Sequence, residues 1–280
     1  MCENCTQHGE GKAWYLEALE YGEDLLADLD RQRYIQEFFA RQARLVGRRD
    51  PIHYLRLAPT PLRPIIRSFI TRRLAVDHYG QAVTIEEVEQ IFSLVHGLVR
   101  VPCVCRRITR GFDESCCLGF VFRPDSLGAG DFIDPSYWQA PGGKGAEKMT
   151  VKEGLELIHQ LNKKGYVHSI WTFKTPFIGG LCNCTPGDCR ALVATIDYDV
   201  PVLHKGAYIA RVVPELCSGC GVCLPRCYFQ ALQIGSHAVI DGTRCYGCGL
   251  CAQVCPRKAI TMAPRLPDST IGHELSFGQI

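Results

Sequence analysis

The chain has 280 residues, and 17 of them are cysteines. That cysteine content in so long a chain is below that of small disulfide-stapled scaffolds. Lys and Arg number 31 against 29 Asp and Glu, a net charge of +2, which excludes a global field that draws the chain to nucleic acid or to a membrane surface. No apolar run is long enough for a transmembrane helix. Without a secretory signal at the start, we expect a cytoplasmic protein whose cysteines bind metal or serve redox chemistry.

Residues 1–80 are predicted to form a helical N-terminal region. Apolar residues recur at helical spacing over 12–46, which favours helices. Cys2 and Cys5 form a C-x₂-C pair that either completes a metal site or lies in a tail. An acidic stretch at 17–30 precedes an arginine-rich stretch at 41–73. We interpret the two as arms of a solvated helical hairpin, with a docking face for a protein as the alternative and no nucleic-acid partner expected.

Residues 81–205 are predicted to form a cysteine-rich α/β metal-binding domain. Two capping boxes, Thr84 with Glu87 and Thr150 with Glu153, predict the starts of two helices. Strands are predicted at Leu98–Cys105 and Tyr166–Thr172. Helices followed by mixed elements and a small cysteine-bound module indicate an α+β fold.

The cysteines of this middle domain are predicted to hold a further metal centre. On an extended segment, the C-x-C spacing of Cys103 and Cys105 would turn both thiols to one face. The candidate ligands are Cys103, Cys105, Cys117, Cys182, Cys184 and Cys189. A third [4Fe–4S] cluster is the preferred interpretation, ahead of structural zinc and of buried free thiols. With Cys116 the thiols number seven, so a second additional site is open.

The most specific signal is a C-x₂-C-x₂-C-x₃-C run that occurs twice between Cys217 and Cys255. Three closely spaced thiolates bind one cubane, and the fourth cysteine of each run crosses to the other cluster. One [4Fe–4S] cluster is therefore assigned to Cys217, Cys220, Cys223 and Cys255, and the other to Cys245, Cys248, Cys251 and Cys227. Zinc is disfavoured because it prefers paired knuckles with long gaps. This ferredoxin domain is expected at 206–265, with a tail at 266–280.

These runs resemble those of two-cluster bacterial-type ferredoxins over residues 208–262, which implies one-electron transfer at low potential. One position departs from the pattern, because Tyr228 follows Cys227 where ferredoxins have proline. Together with the C-x-C-R, C-L and C-N-C segments, residues 80–262 also resemble an uncharacterised family of fused ferredoxin-like proteins from anaerobes.

The leading interpretation is an iron–sulfur electron-transfer protein or subunit that relays electrons between the two ferredoxin clusters, the upstream centre and a partner oxidoreductase. The alternatives are a reductase whose upstream cluster binds a small substrate, and a redox-sensing regulator. Segment 208–262 carries five basic and two acidic residues, a charge of +3. We therefore expect a protein partner with an acidic face or a permanent place in a hetero-oligomeric complex.

Overall fold

The computed structural model describes residues 13–45, 58–68, 77–111, 115–138 and 145–265. Cys2, Cys5, most of the arginine-rich stretch and the 266–280 tail lie outside these ranges. The predicted N-terminal helical stretch forms three helices, α1 (Trp14–Glu20), α2 (Gly22–Leu26) and α3 (Leu29–Ala43). The Asp28 carboxylate caps α3 by accepting hydrogen bonds from the backbone amides of Asp30 and Arg31, at 2.8 and 3.3 Å.

A seven-stranded sheet forms the centre of the molecule. Its strands are β1 (Gly80–Val83), β2 (Gly97–Val101), β3 (Cys117–Val121), β4 (Glu147–Met149), β5 (Val167–Thr172), β6 (Ile178–Cys184) and β7 (Leu203–His204). Their order across the sheet is β4-β2-β3-β6-β5-β1-β7. β1 and β7 pair in parallel, and the other neighbours are antiparallel. Alternate residues of these strands therefore point to opposite faces.

One face of the sheet is covered by helices that complete the main core. α4 (Ile85–Ser93) and α7 (Val151–Lys164) both begin at the predicted capping boxes, which the structure confirms. α1 joins them, so N-terminal helix and sheet share a single core. Its largest fully buried members include Tyr15, Leu19, Ile91, Phe92, Leu98, Leu118, Phe120 and Ile158.

The opposite face is flanked by α3 and by short helices that follow cysteines. These helices are α5 (Val104–Arg110), α6 (Pro135–Trp138) and α8 (Arg190–Asp197). The predicted strand Leu98–Cys105 is wrong in its second half, because β2 ends at Val101 and α5 begins at Val104. Pro102 has no N–H to continue the strand ladder, so Cys103 becomes the N-cap residue of α5. The predicted strand at Tyr166–Thr172 is confirmed as β5.

Residues 206–265 form a small module that contains two antiparallel strand pairs. β8 (Tyr208–Val212) pairs with β11 (Ile260–Pro264), and β9 (Leu232–Ile234) pairs with β10 (Ala238–Ile240). In the chain, α9 (Leu250–Gln253) lies between β10 and β11. The mixture of helices and sheet confirms the α+β class, whereas the domain boundaries stay a prediction.

Two side chains fasten this module to the turn between α7 and β5. The Tyr228 hydroxyl donates to the carbonyl of Gly165 at 3.0 Å, and Arg226 Nη2 lies 3.3 Å from the carbonyl of Lys163. The residue that departs from the ferredoxin pattern thus has a structural use in this chain. Within the ranges that the structure describes, none of the helices combines the length and the apolar character needed to cross a membrane.

Candidate metal centres

The structure gathers the eight cysteines of the C-terminal module into two groups of four. Cys217, Cys220, Cys223 and Cys255 line one pocket. In the second group, burial and then the charges of Cys248, Cys245 and Cys227 raise the pKa of Cys251. Both groups take their fourth cysteine from the other run, which is the crossed arrangement expected of two cubanes.

Backbone amides point at cysteine sulfurs in a way that repeats between the two halves of the module. The amide of Ala231 lies 3.2 Å from Cys227 Sγ, and the amide of Ala259 lies 3.2 Å from Cys255 Sγ. The amide of Ala238 is 3.3 Å from Cys217 Sγ. Such donors stabilise thiolates and the anionic clusters they bind, so the residues present fit iron–sulfur clusters.

The two groups differ in their access to solvent. Cys220 is exposed, and Leu216, Val222 and Leu224 around this first group are each close to half exposed. The second group is more enclosed, and burial raises the pKa of Cys248 to about 12. One group of four cysteines therefore lies at the surface and the other faces the interior.

The six predicted upstream ligands meet at a single site between the sheet and the short helices. Going round the site, each thiol lies close enough to the next to shift its pKa, and the sixth does the same to the first. The order is Cys103, Cys105, Cys189, Cys184, Cys182 and Cys117. We call these six residues the thiol ring. All six are buried or partly buried.

Local structure explains how distant segments reach this ring. Cys182 and Cys184 alternate along β6 and share one of its faces. Cys117 is the first residue of the neighbouring strand β3. Cys103 and Cys189 are the N-cap residues of α5 and α8. The N-terminal end of a helix favours negative charge, so both positions suit a thiolate.

Within the ring, the thiols differ in how readily they ionise. Hydrogen bonds with Cys117 and Cys184 lower the pKa of Cys182 to about 6. Hydrogen bonds with Cys105 and Cys184 lower the pKa of Cys189 as well. Hydrogen bonds with neighbouring thiols raise the pKa values of Cys105, Cys117 and Cys184, so lowered and raised values alternate round the ring. A buried cluster of thiols is typical of a soft metal centre.

Two residues beside the ring were not among the predicted ligands. Cys116 is buried, and its Sγ lies with those of Cys103 and Cys117 in a group whose members are all within 4.8 Å of one another. The guanidinium of Arg106, itself 1% exposed, donates to Cys116 Sγ. Arg106 also pairs with buried Asp188 at 3.4 Å. A buried cation here offsets the negative charge that thiolates bring.

A buried polar chain supports the ring from the strands. His168 Nδ1 donates to Asn183 Oδ1 at 2.6 Å, and Asn183 Nδ2 donates to the backbone carbonyl of Cys116. Burial lowers the pKa of His168 to about 4. The neutral imidazole therefore fixes the amide that holds Cys116 in place.

The enclosed ferredoxin group and the thiol ring share a hydrophobic cluster. Cys184 and Cys189 of the ring lie in it together with Phe229 and Leu250, and Cys227, Tyr246 and Cys248 pack against it. Phe229 stacks on Tyr246 with 4.1 Å between ring centroids and 15° between their planes. The described residues of this shared cluster are all buried or partly buried.

On its other side, the thiol ring borders a cavity of about 410 Å³. All six ring cysteines line it, together with aromatic residues of α3, α6 and the sheet. Structural zinc sites are closed and use four ligands. A ring of six thiols that opens on a cavity is a better match to a reactive or redox-active centre.

Comparison with known proteins supports the iron–sulfur part of this description. Residues 238–261 match the model of the 4Fe-4S binding domain family. The match spans β10, the second cysteine run and the start of β11. No curated protein matches the chain. The chain thus contains a ferredoxin-like segment, which indicates 4Fe–4S binding and a role in iron–sulfur electron transfer.

Proposed function

We propose that this chain is an iron–sulfur electron-transfer protein that delivers electrons from a partner oxidoreductase to a metal centre in the thiol ring. Electrons enter at the cluster of Cys217, Cys220, Cys223 and Cys255. They pass to the enclosed cluster of Cys245, Cys248, Cys251 and Cys227, and from there to the ring.

The shared hydrophobic cluster is the observation that carries this proposal. It places Cys227 and Cys248 of the enclosed ferredoxin group against the same buried residues as Cys184 and Cys189 of the ring. A metal centre in the ring would then lie across this buried hydrophobic cluster from a ferredoxin cluster. The exposed group, with Cys220 and Val222 at the surface, faces outward for a partner.

The donor set favours iron and sulfide over zinc at the ring. Soft thiolates select zinc or iron–sulfur clusters. Structural zinc sites are closed, whereas the six thiols of this ring line a cavity. Arg106 and the helix N-termini at Cys103 and Cys189 are placed to stabilise the negative charge of a thiolate-bound cluster.

Electron paramagnetic resonance of the fully reduced protein tests the relay. We expect signals from the ferredoxin clusters that interact magnetically with a third paramagnetic centre. The variant Cys182→Ser/Cys184→Ser should lose the third signal and this interaction, while the ferredoxin signals remain. Identical spectra from the native protein and the variant would contradict the proposal.

The cavity favours a second candidate function, reduction of a small molecule at the ring. A carrier cluster with full protein ligation needs no open space beside it, whereas a reactive metal centre keeps an accessible position. A reductase should show a change in the third centre's spectrum when a substrate binds. A pure carrier should show none with any small molecule.

A further inference from the structure

Part of the cavity wall is a continuous aromatic surface. It contains Phe38, Phe39, His78, Trp138, Trp171 and Phe173. The cavity, at about 410 Å³, falls within the usual size range of small-molecule sites. Phe38 and Phe39 come from α3, Trp138 from α6 and Trp171 from β5, whereas Phe173 directly follows β5 and His78 lies just before β1. The lining therefore extends beyond the segments that carry the cysteines.

His78 lies at the centre of this surface. Its ring centroid is 4.3 Å from that of Phe38, 4.9 Å from that of Phe173 and 5.0 Å from that of Trp171. Phe39 stacks on Phe173 with 5.8 Å between centroids. Aromatic walls of this kind favour a planar ring, which can stack or meet them edge to face.

His78 also offers a directional contact. Its Nδ1 lies 2.7 Å from the carbonyl of Thr172, and since a carbonyl only accepts, Nδ1 carries the proton. Burial lowers the pKa of His78 to about 4, so the ring is neutral at pH 7. Nε2 then has a lone pair that accepts a hydrogen bond from an O–H or N–H group.

The lining contains little charge. Among the described residues that line the cavity, Arg190 is the sole member with a formally charged side chain apart from the titratable thiols and His78. It donates to Gln42 Oε1 at 3.1 Å, and Gln42 also lines the cavity. The other lining residues are largely apolar, which makes burial of a multiply charged ligand costly.

We propose that this cavity binds a neutral, planar aromatic molecule that carries a hydroxyl or amino group, with that group donating to His78 and the ring plane held beside the thiol ring. The chemical use of the molecule rests on the second candidate function, in which it would be the substrate. The binding itself rests on the cavity alone.

Isothermal titration calorimetry of the anaerobically purified full chain tests the inference with two matched probes. 2-Naphthol has the hydrogen-bond donor, and 2-methoxynaphthalene lacks it. We expect 2-naphthol to bind once per chain and His78→Phe to weaken it about tenfold, the usual effect of one lost hydrogen bond. The affinity of 2-methoxynaphthalene should be the same in both proteins. His159→Phe, at a half-exposed position on α7, should change neither.

A second variant tests the location. Ala194 lines the cavity from α8, so Ala194→Phe should abolish binding of both probes while the iron content stays native. Failure of both probes to bind the metal-loaded native protein would overturn the inference, as would equal affinities in native protein, His78→Phe and Ala194→Phe.

Metal analysis of the same samples separates the two proposals. Probe binding with no metal in the thiol ring supports this inference and contradicts the proposed function, whereas a metal-filled ring with no probe binding contradicts this inference alone.

Discussion

Gly247, between Cys245 and Cys248 of the enclosed cysteine group, should be far less tolerant of a side chain than Gly221 of the first run. Its φ is +76°, and a Cβ added there would lie 2.0 Å from the carbonyl oxygen of Tyr208. That carbonyl belongs to β8, which pairs with β11, and it also accepts from Arg265 Nη2 at 3.3 Å. Gly247→Ala must therefore displace backbone and not a flexible side-chain end.

Gly221 provides a matched control, because its φ is +75° and nothing lies within 4 Å of an added Cβ. Gly221→Ala should cost only the left-handed backbone penalty, about 1–2 kcal/mol. Gly247→Ala should cost that penalty plus overpacking, which contributes about 1–3 kcal/mol more.

The assay is the urea concentration at which the visible absorbance of the clusters is lost under anaerobic conditions. We expect a clearly lower midpoint for Gly247→Ala than for Gly221→Ala, with reduced iron content in the first. Equal midpoints would refute the reasoning, because they would mean that the contact with Tyr208 does not restrict this position.

Three further predictions follow from individual contacts. Cys182→Ser/Cys184→Ser should remove the iron of the thiol ring and leave about eight irons in the ferredoxin module. Cys116→Ser, which changes a cysteine outside the ring, should lose less iron than the double variant. Unchanged iron in the double variant would show that Cys182 and Cys184 bind none. Tyr228→Phe should lower the unfolding midpoint by the equivalent of about 1 kcal/mol, since it removes the hydrogen bond to Gly165; a midpoint equal to the native value would rule out that anchor. Burial raises the pKa of Glu87, so the stability that this group contributes is present at low pH and is lost as the pH rises through its folded-state pKa. Glu87→Gln keeps the capping geometry and should flatten the dependence of the thermal midpoint on pH. An unaltered dependence would contradict the raised pKa of Glu87.

Local signals in the sequence predicted the local parts of the fold well. Thr84 and Thr150 start helices because a capping box needs only residues three apart. The ferredoxin runs were recognisable for the same reason, since most ligands of each cluster lie within a few residues. The strand over Leu98–Cys105 failed at Pro102, where the missing N–H ends the ladder and a helix begins.

The sequence was enough to predict which six cysteines form the thiol ring but not how they are arranged. Its six cysteines come from β3, β6 and the starts of α5 and α8, and their meeting depends on how the sheet is ordered. Cys116 was left out of the predicted set. It lies just before β3, so the alternation of side chains along a strand does not send it to the face opposite Cys117, and the two sulfur atoms lie close together. Arg106 had no signal at all, because only the folded chain buries its guanidinium against Cys116.

The electron capacity of the full chain tests the central claim most directly. In an anaerobic coulometric titration with parallel iron, sulfide and zinc analysis, three cubanes should accept about three electrons per chain, one for each cluster. Cys182→Ser/Cys184→Ser should accept about two. An uptake of two electrons by the native chain, with zinc in the thiol ring, would contradict a redox centre fed by the ferredoxin module.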